Sequence, residues 1–336
     1  MRLPETGLHV IQTAYFLAVK RIRAIDLFCG AGGSSWGARL AGVNIVAGFD
    51  MWSAAKQSYP TNFPKAAFYE GKLEEISPRS IKQELGKIDL ILASPECQSH
   101  SQARGAAKRS KSSRDTAFQV VRFAKTLKPR WIVIENVASM RSWSRYNRFK
   151  RDLEALGYQI REQILNAADF GVPQRRKRLF LLCDKLRRPE EVKPKRGQHT
   201  TASTVIDTNG SYSFSPLKQK RRASSTLQRA GRAVRVVGKS RSFLIVYYGT
   251  DKAGGWQRLD VPLRTITTLD RFALVKPGRN GHMMRMLQVP ELKQAMGMPK
   301  KFKLGSGSRR EQIHLLGNAV CPPVMRAVVR SLVNCA

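Results

Sequence analysis

The sequence predicts an α/β protein: a doubly wound, mostly parallel sheet with helices on both faces, carrying a smaller, basic lobe. Three observations lead there. Over the first 185 residues, apolar runs of strand length alternate with stretches of helical length, as in successive βαβ units. A glycine-rich turn, Gly30-Ala31-Gly32-Gly33, follows the first apolar run and opens a helix. From Lys185 to Arg241 the composition shifts to Ser, Thr, Gly and Arg with weak periodicity, and fifteen Lys and Arg meet only Glu190, Glu191 and Asp207.

The elements follow in order. Ala24 to Phe28 reads as the first strand, and Ser34 to Ala41 as the helix after the turn. Val43 to Phe49 is a second strand with Asp50 at its tip, and Trp52 to Tyr59 a second helix. Ile88 to Ala93 is a strand leading into Ser94-Pro95-Glu96-Cys97-Gln98; Thr116 to Leu127 reads as a helix. Trp131 to Ile134 is a strand ending in Glu135-Asn136-Val137. Arg151 to Leu156 is helical, while Tyr158 to Leu165 and Arg178 to Cys183 are strand-like. β character returns at Phe243 to Tyr248 and at Leu263 to Thr268, and Val324 to Val333 is helical by pattern. The apolar stretch from His9 to Val19 follows Pro4 and Glu5 and precedes no small-residue cleavage site, so a leading helix or strand is expected there instead of a signal peptide.

Charge narrows the partners. The 336 residues carry 60 Lys and Arg against 24 Asp and Glu, a formal net charge of +36. Self-repulsion of that size suits a protein whose partner is a polyanion, nucleic acid ahead of an anionic membrane. No apolar run is long enough to span a bilayer. The five cysteines, Cys29, Cys97, Cys183, Cys321 and Cys335, are widely separated and never spaced as CxxC. That pattern argues against a disulfide framework and a metal site, and for a reducing cytosolic compartment.

Two groups at strand ends carry the chemistry. Cys97 sits at a turn after an apolar strand, ahead of a loop with Arg104, Lys108, Arg109, Lys111 and Arg114 whose cations would favour a thiolate. A lone cysteine is more often a small buried hydrophobe; the proline before it and the basic loop after it favour a nucleophile. Glu135 ends an apolar strand, where an unpaired carboxylate is costly. It either pairs with an arginine or engages a ring nitrogen of a substrate. The run from Gln174 to Arg178 is a solvated basic turn or, since it leads straight into a strand, a positioned one. The glycine turn offers backbone amides to a nucleotide-like cofactor, with Asp50 placed for ribose hydroxyls; packing alone also explains such turns.

Taken together and in order, these segments resemble the DNA (cytosine-5) methyltransferase family over nearly the whole chain. DLFCGAGG resembles the family's S-adenosylmethionine loop, SPECQ its catalytic cysteine loop, and ENV the motif bearing the catalytic glutamate. PQRRKR fits PQxRxR through Gln174, Arg176 and Arg178; Arg264-Thr265-Ile266-Thr267-Thr268 resembles the motif that props the recognition lobe; and Gly317-Asn318-Ala319-Val320 resembles the closing GN motif.

The resemblance implies an S-adenosylmethionine-dependent methyltransferase fold and methylation of C5 in a cytosine flipped out of duplex DNA. It implies catalytic roles for Cys97, Glu135, Arg176 and Arg178, and cofactor contacts from Phe28, Gly30, Gly32, Gly33, Asp50, Met51, Pro95, Asn318 and Val320. DNA contacts are expected from Gln98, Ser101, Arg104, Gln174, Arg264 and Thr265. Residues 1–185 would form the catalytic and cofactor-binding domain, 186–304 the recognition lobe, and 305–336 a segment returning to the catalytic domain. A monomer in the cytoplasm at the nucleoid, with a cognate restriction endonuclease as possible partner and no metal, completes the expectation.

The chain departs from the family pattern in places. Glu96 stands for the second proline of the cysteine loop, and His100 for its usual Phe. Lys72 stands where an aspartate is common, and Met51 takes the place of the aromatic after the acidic residue, with Trp52 one position later. The excess charge suggests tight, weakly discriminating DNA binding and a short or degenerate target. An RNA cytosine-5 methyltransferase and a catalytically dead DNA-binding protein are the alternatives; the basic lobe favours DNA, and intact Cys97, Glu135, Arg178 and Asn318 favour catalysis.

Overall fold

The computed structural model describes residues 22–95, 116–194, 197–208, 210–248 and 254–333. Seven strands build the main sheet: β1 (Arg23–Leu27), β2 (Asn44–Asp50), β3 (Ala67–Glu70), β4 (Leu90–Ala93), β5 (Trp131–Asn136), β6 (Gln159–Asn166) and β7 (Lys177–Asp184). Their spatial order is β3-β2-β1-β4-β5-β7-β6. The first five pair in parallel, and β7 runs antiparallel between β5 and β6. Strand order reverses between β1 and β4, so the crevice beyond their carboxyl ends is where an open α/β sheet binds ligands.

Both faces are covered, which is why the central strands read as unbroken apolar runs. Ile25, Leu27, Ile91, Ala93, Ile132 and Ile134 face α3 (Pro78–Leu85), α4 (Phe118–Leu127) and α5 (Tyr146–Glu154), meeting Ile81, Phe123 and Phe149. Ala24, Leu90, Leu92 and Val133 point to the opposite face, as the two-residue period of a strand requires. There they meet α1 (Gly33–Leu40), α2 (Ser53–Asn62) and, from the far end of the chain, α9 (Pro322–Val333). A Cβ on Gly37 of α1 would lie 2.6 Å from the Cβ of Met325, so α1 and α9 pack almost backbone to backbone.

A second, antiparallel sheet combines β8 (Ser215–Pro216), β9 (Phe243–Val246), β10 (Trp256–Gln257), β11 (Phe272–Gly278) and β12 (Gly281–Met286) in the order β10-β9-β11-β12-β8. One face packs Phe243, Ile245, Ala273 and Val275 against Ala230 and Ala233 of α6 (Ser224–Val237). From the other face, Leu244, Val246, Phe272 and Leu274 join the core that contains α1 and α9. This sheet ends in α7 (Val289–Ala295), and α8 (Arg309–Asn318) leads back to α9. Arg285 and Glu291, each with a 3% exposed side chain, form a bidentate pair at 2.6 and 2.8 Å that fixes β12 to α7.

Most strand ends lie within two residues of the sequence expectation. Three differences have physical causes. The helix expected at Arg151 begins at Tyr146, because Tyr146, Phe149 and Leu153 form a single buried stripe. The weakly periodic segment contains α6, whose small apolar face is interrupted by Arg229, Arg232 and Arg235. Residues 263–268 are extended but form no strand; beyond an isolated bridge from Leu263 to Gln174, side chains of other segments take up their backbone groups. No helix among the described residues is long and apolar enough to cross a membrane.

Candidate active site

The glycine turn lies at the switch point. Gly32, at φ 94°, caps α1 without a side chain, and the turn curls so that Gly30 N–H donates to Asp50 Oδ2 at 2.8 Å. Trp52 N–H donates to the other oxygen, Oδ1, at 2.9 Å. Burial raises the Asp50 pKa, and these amide bonds oppose the rise. The carboxylate keeps lone-pair capacity for a further donor such as a ribose hydroxyl. Nothing lies within 4 Å of where a Gly30 Cβ would stand, and Met51, 56% exposed, flanks the same opening. An open amide-lined turn, a strand-tip carboxylate and an exposed apolar side chain suit a nucleoside-like cofactor. Trp52 is turned to meet His314 of α8 edge-on, with ring centroids 4.6 Å apart.

The closing segment comes back to this turn. A Cβ on Gly33 would lie 2.4 Å from the carbonyl oxygen of Val320, and one on Gly317 equally close to the backbone of Thr267. Only glycine permits these approaches. Val320 is buried there, while Asn318 at the end of α8 is exposed. Phe28, with φ 60°, begins the turn.

Below the turn is a polar network that the sequence reading missed. Asp26 is fully buried in β1, and its Oδ2 accepts from Ser35 N–H at 3.1 Å and Ser35 Oγ at 2.7 Å. Ser35 Oγ also lies 2.7 Å from Tyr59 Oη. Burial pushes the Asp26 pKa up to about 7, with Ser35 opposing it. The signal was available: an acid inside an otherwise apolar strand must be satisfied or neutral.

Next along the crevice, Glu135 is the penultimate residue of β5 and is 5% exposed. Arg178 Nε on β7 lies 3.2 Å from its Oε1. Burial raises the Glu135 pKa, and Arg178 and Arg176 pull it back. A small cavity runs between Glu135, Arg176, Arg178, Phe180 and Cys321. Cys321 is buried, and its thiol is pushed up to about 11 by that burial. Asn136 Nδ2 donates to the carbonyl of Pro95 at 3.1 Å, tying this strand end to the start of the cysteine loop. Cys97, Gln98, Ser101 and Arg104 lie outside the described residues, as do Glu96 and His100.

Two of the residues expected at the active site or DNA are internal braces. Gln174 has no exposed surface: its Oε1 accepts from Ile266 N–H at 2.8 Å and its Nε2 donates to Ala295 O at 3.0 Å. Arg176, 2% exposed, donates to the carbonyls of Ile266 (2.9 Å), Gly317 (2.7 Å) and Ala319 (3.0 Å). One guanidinium therefore joins three segments distant in sequence. Arg176 thus braces the backbone while also lining the cavity beside Glu135 and Arg178. Thr265 Oγ1 donates to Arg175 O at 2.8 Å, and Arg264 Nη2 to Trp256 O at 3.1 Å, so both stand at the junction of the two sheets. Among the described residues, no group of three His, Cys, Asp or Glu could hold a metal ion.

Comparison with known proteins gives a consistent picture. The model of the C-5 cytosine-specific DNA methylase family matches residues 22–334. The chain is 27% identical over 328 residues to the type II methyltransferase M.HaeII of Haemophilus aegyptius, covering 94% of each protein. It is 34% identical over 174 residues to the type II methyltransferase M.DdeI of Desulfomicrobium norvegicum, spanning only 41% of that protein. Among solved structures, a Spodoptera frugiperda DNMT2 mutant superposes with a TM-score of 0.69 at 18% identity, over 92% of this chain and 99% of that one. At that identity the likeness speaks to the fold.

Proposed function

Because the chain belongs to the C-5 cytosine-specific DNA methylase family and is by that membership a DNA cytosine methyltransferase, we propose that it methylates C5 of a cytosine flipped out of duplex DNA, through a covalent adduct of Cys97. The observation that carries this reading is the Glu135–Arg178 pair at 3.2 Å on adjacent strand ends, beside the turn that leads to Cys97. A carboxyl and a guanidinium fixed side by side suit the polar edge of a pyrimidine.

The chemistry asks each group for one task. The Cys97 thiolate adds to C6 of the cytosine, forming an S–C6 bond and making C5 a nucleophile. Glu135 engages N3 and the exocyclic amine, and its raised pKa suits a carboxyl that shares a proton with N3. Arg178 holds the O2 side. When bound, S-adenosylmethionine supplies the sulfonium methyl that C5 accepts. A base then removes the C5 proton, and the S–C6 bond breaks to return the thiolate. The base must leave the stack because neither face of C6 is open to a thiol inside a duplex.

Phe28, Gly30, Gly32, Gly33, Asp50, Met51, Pro95, Asn318 and Val320 would hold the cofactor. Residues 1–185 and 305–336 act as the catalytic domain and 186–304 as the recognition lobe, with Gln174 and Arg176 holding the parts in register. Gln98, Ser101, Arg104, Arg264 and Thr265 would contact the DNA. The enzyme works as a monomer in the cytoplasm, on nucleoid DNA. Relatives named type II methyltransferases make a restriction endonuclease of the same target its expected counterpart.

The test is a duplex carrying 5-fluorocytosine, whose C5 substituent cannot leave as a proton. Wild-type protein with S-adenosylmethionine should form a denaturant-stable adduct, and Cys97→Ala none. Methylation of ordinary duplex without any adduct on the fluorinated one would rule out the thiol mechanism.

A further inference from the structure

We propose that the edge of the main sheet opposite the active site is a second DNA-binding surface, built to hold the phosphate backbone of a duplex other than the one being methylated. The inference takes DNA as the substrate polymer from the family assignment. It does not depend on the catalytic mechanism.

Strand register defines that edge. The carboxyl ends of β1, β4 and β5 face the crevice, so their amino ends lie at the opposite rim, where Trp131 pairs with Leu90 on one side and with Asp184 on the other. Backbone bonds continue the row: Asp89 N–H donates to Arg23 O, Trp131 N–H to Asp89 O, and Lys185 N–H to Arg130 O. Lys128, Arg130, Lys185, Arg187 and Arg188 follow from the loops at this rim, with Lys125 in the last turn of α4 beside them.

Some cations of the same domain are ion-paired. Lys56 pairs with Glu70 and Arg141 with Glu162 away from the rim, and Lys87 pairs with Asp89 at the rim itself. At the rim the nearest carboxylate, Asp184, is 1% exposed and engaged by Arg130, by the Trp131 indole and by Leu186 N–H. Among the described residues, no carboxylate lies within ion-pair distance of Lys125, Lys128, Lys185, Arg187 or Arg188. The other acids nearby, Glu154, Glu190 and Glu191, are exposed and form no ion pair with these five. Lys185 is lowered in pKa first by burial and then by the charge of Lys128, so two like charges are held close together. Two of the cations are also fixed in place: Arg130 lies 4.4 Å over the Trp131 ring and Lys185 5.0 Å over Tyr158. In both contacts the charged head lies over the ring face, which holds it at the rim.

Distance separates this surface from the catalytic crevice. The six residues of β5 span about 20 Å at roughly 3.3 Å each, well beyond a Debye length of about 8 Å at physiological salt. The rim therefore contributes little to holding the duplex in the crevice. A stiff duplex does not bend cheaply around so small a body, since its persistence length is about 150 bp. A separate duplex, or a distant part of the same one, is the fitting occupant, and the enzyme then bridges two DNA segments.

A sandwich assay tests this. A short target duplex is immobilised, the protein is bound to it, and a labelled second duplex without the target is added. The variant K125Q/K128N/K185Q, whose three positions lie outside the recognition lobe, is compared with wild type. Wild type should retain the second duplex, with retention falling steeply as salt rises; the variant should retain at least about tenfold less, since each lost phosphate contact removes roughly 0.9 from the salt slope. Methylation and affinity on the short duplex should be equal in both. Equal retention by the variant would overturn the proposal, as would absence of retention by wild type at low salt. Preference of the rim for RNA over duplex DNA would overturn its assignment to DNA. Retention is read without turnover, so a failure of the methylation reading would leave the result distinct.

Discussion

The side-chain amide of Asn136 donates to the carbonyl of Pro95 at 3.1 Å, while its own Oδ1 accepts from Val137 N–H at 2.8 Å. The strand end that carries Glu135 and the turn that leads to Cys97 are thereby coupled through one buried residue.

Asn136→Ala should uncouple them. Loss of a buried hydrogen bond with an acceptor left unsatisfied costs about 1–3 kcal/mol. Because a small misplacement of reacting groups costs as much as about 100-fold in rate, turnover should fall further than stability implies. Cofactor affinity, set at the glycine turn, should hold. Single-turnover methylation, thermal unfolding and cofactor titration together check this; a cofactor-binding defect equal to the rate defect would contradict it.

Glu135→Gln keeps the shape but removes the proton-sharing carboxyl from beside Arg178. Turnover should fall by about 100-fold to 10,000-fold, the usual range for a positioned acid or base. Duplex binding should change little, since most of its affinity comes from phosphate contacts. Rates and binding isotherms for the variant decide it, and a loss of less than threefold would remove Glu135 from the chemistry.

Asp26 gives a pH prediction. Its folded pKa of about 7 stands above the ordinary value of 3.8, so the folded state binds the extra proton between these values. Stability is then highest below about pH 4 as far as this group is concerned, and falls as pH rises toward 7, by an amount on the order of a few kcal/mol. Asp26→Asn should flatten that slope. Denaturant unfolding of both proteins across this range is the measurement, and identical slopes would be contrary to it.

In the second sheet, Arg285→Ala would leave the Glu291 carboxylate buried without its partner. Removing one member of a buried pair costs about 3–5 kcal/mol. Hydrogen exchange should quicken in β11, β12 and α7 more than in the central strands of the main sheet. Uniform protection across both sheets would show that the pair is dispensable.

The fold was legible because its strands are buried on both faces and its glycine turn has a fixed place between strand and helix. Glu135 and Asp50 were legible for the same reason: each ends an apolar run at the carboxyl edge of the sheet. The lobe was harder. The packing face of α6 relies on Ala230 and Ala233, too small to mark a hydrophobic stripe between arginines. Arg176 was expected at the chemistry and Gln174 at the DNA, and their bracing contacts come from Ile266, Ala295 and Gly317, which lie about a hundred residues away in sequence. Nothing local encodes such contacts. Trp52 also shows the limit of reading by position, since its ring turns to His314 and leaves Met51 exposed beside Asp50.

The most direct test of the central claim is base-resolution sequencing for 5-methylcytosine in duplex DNA incubated with S-adenosylmethionine and either wild-type protein or Cys97→Ala. The expected result is methylation at a defined sequence by wild type and none by the variant. Methylation by Cys97→Ala at the wild-type level, or none by a wild-type protein that binds the duplex, would contradict it.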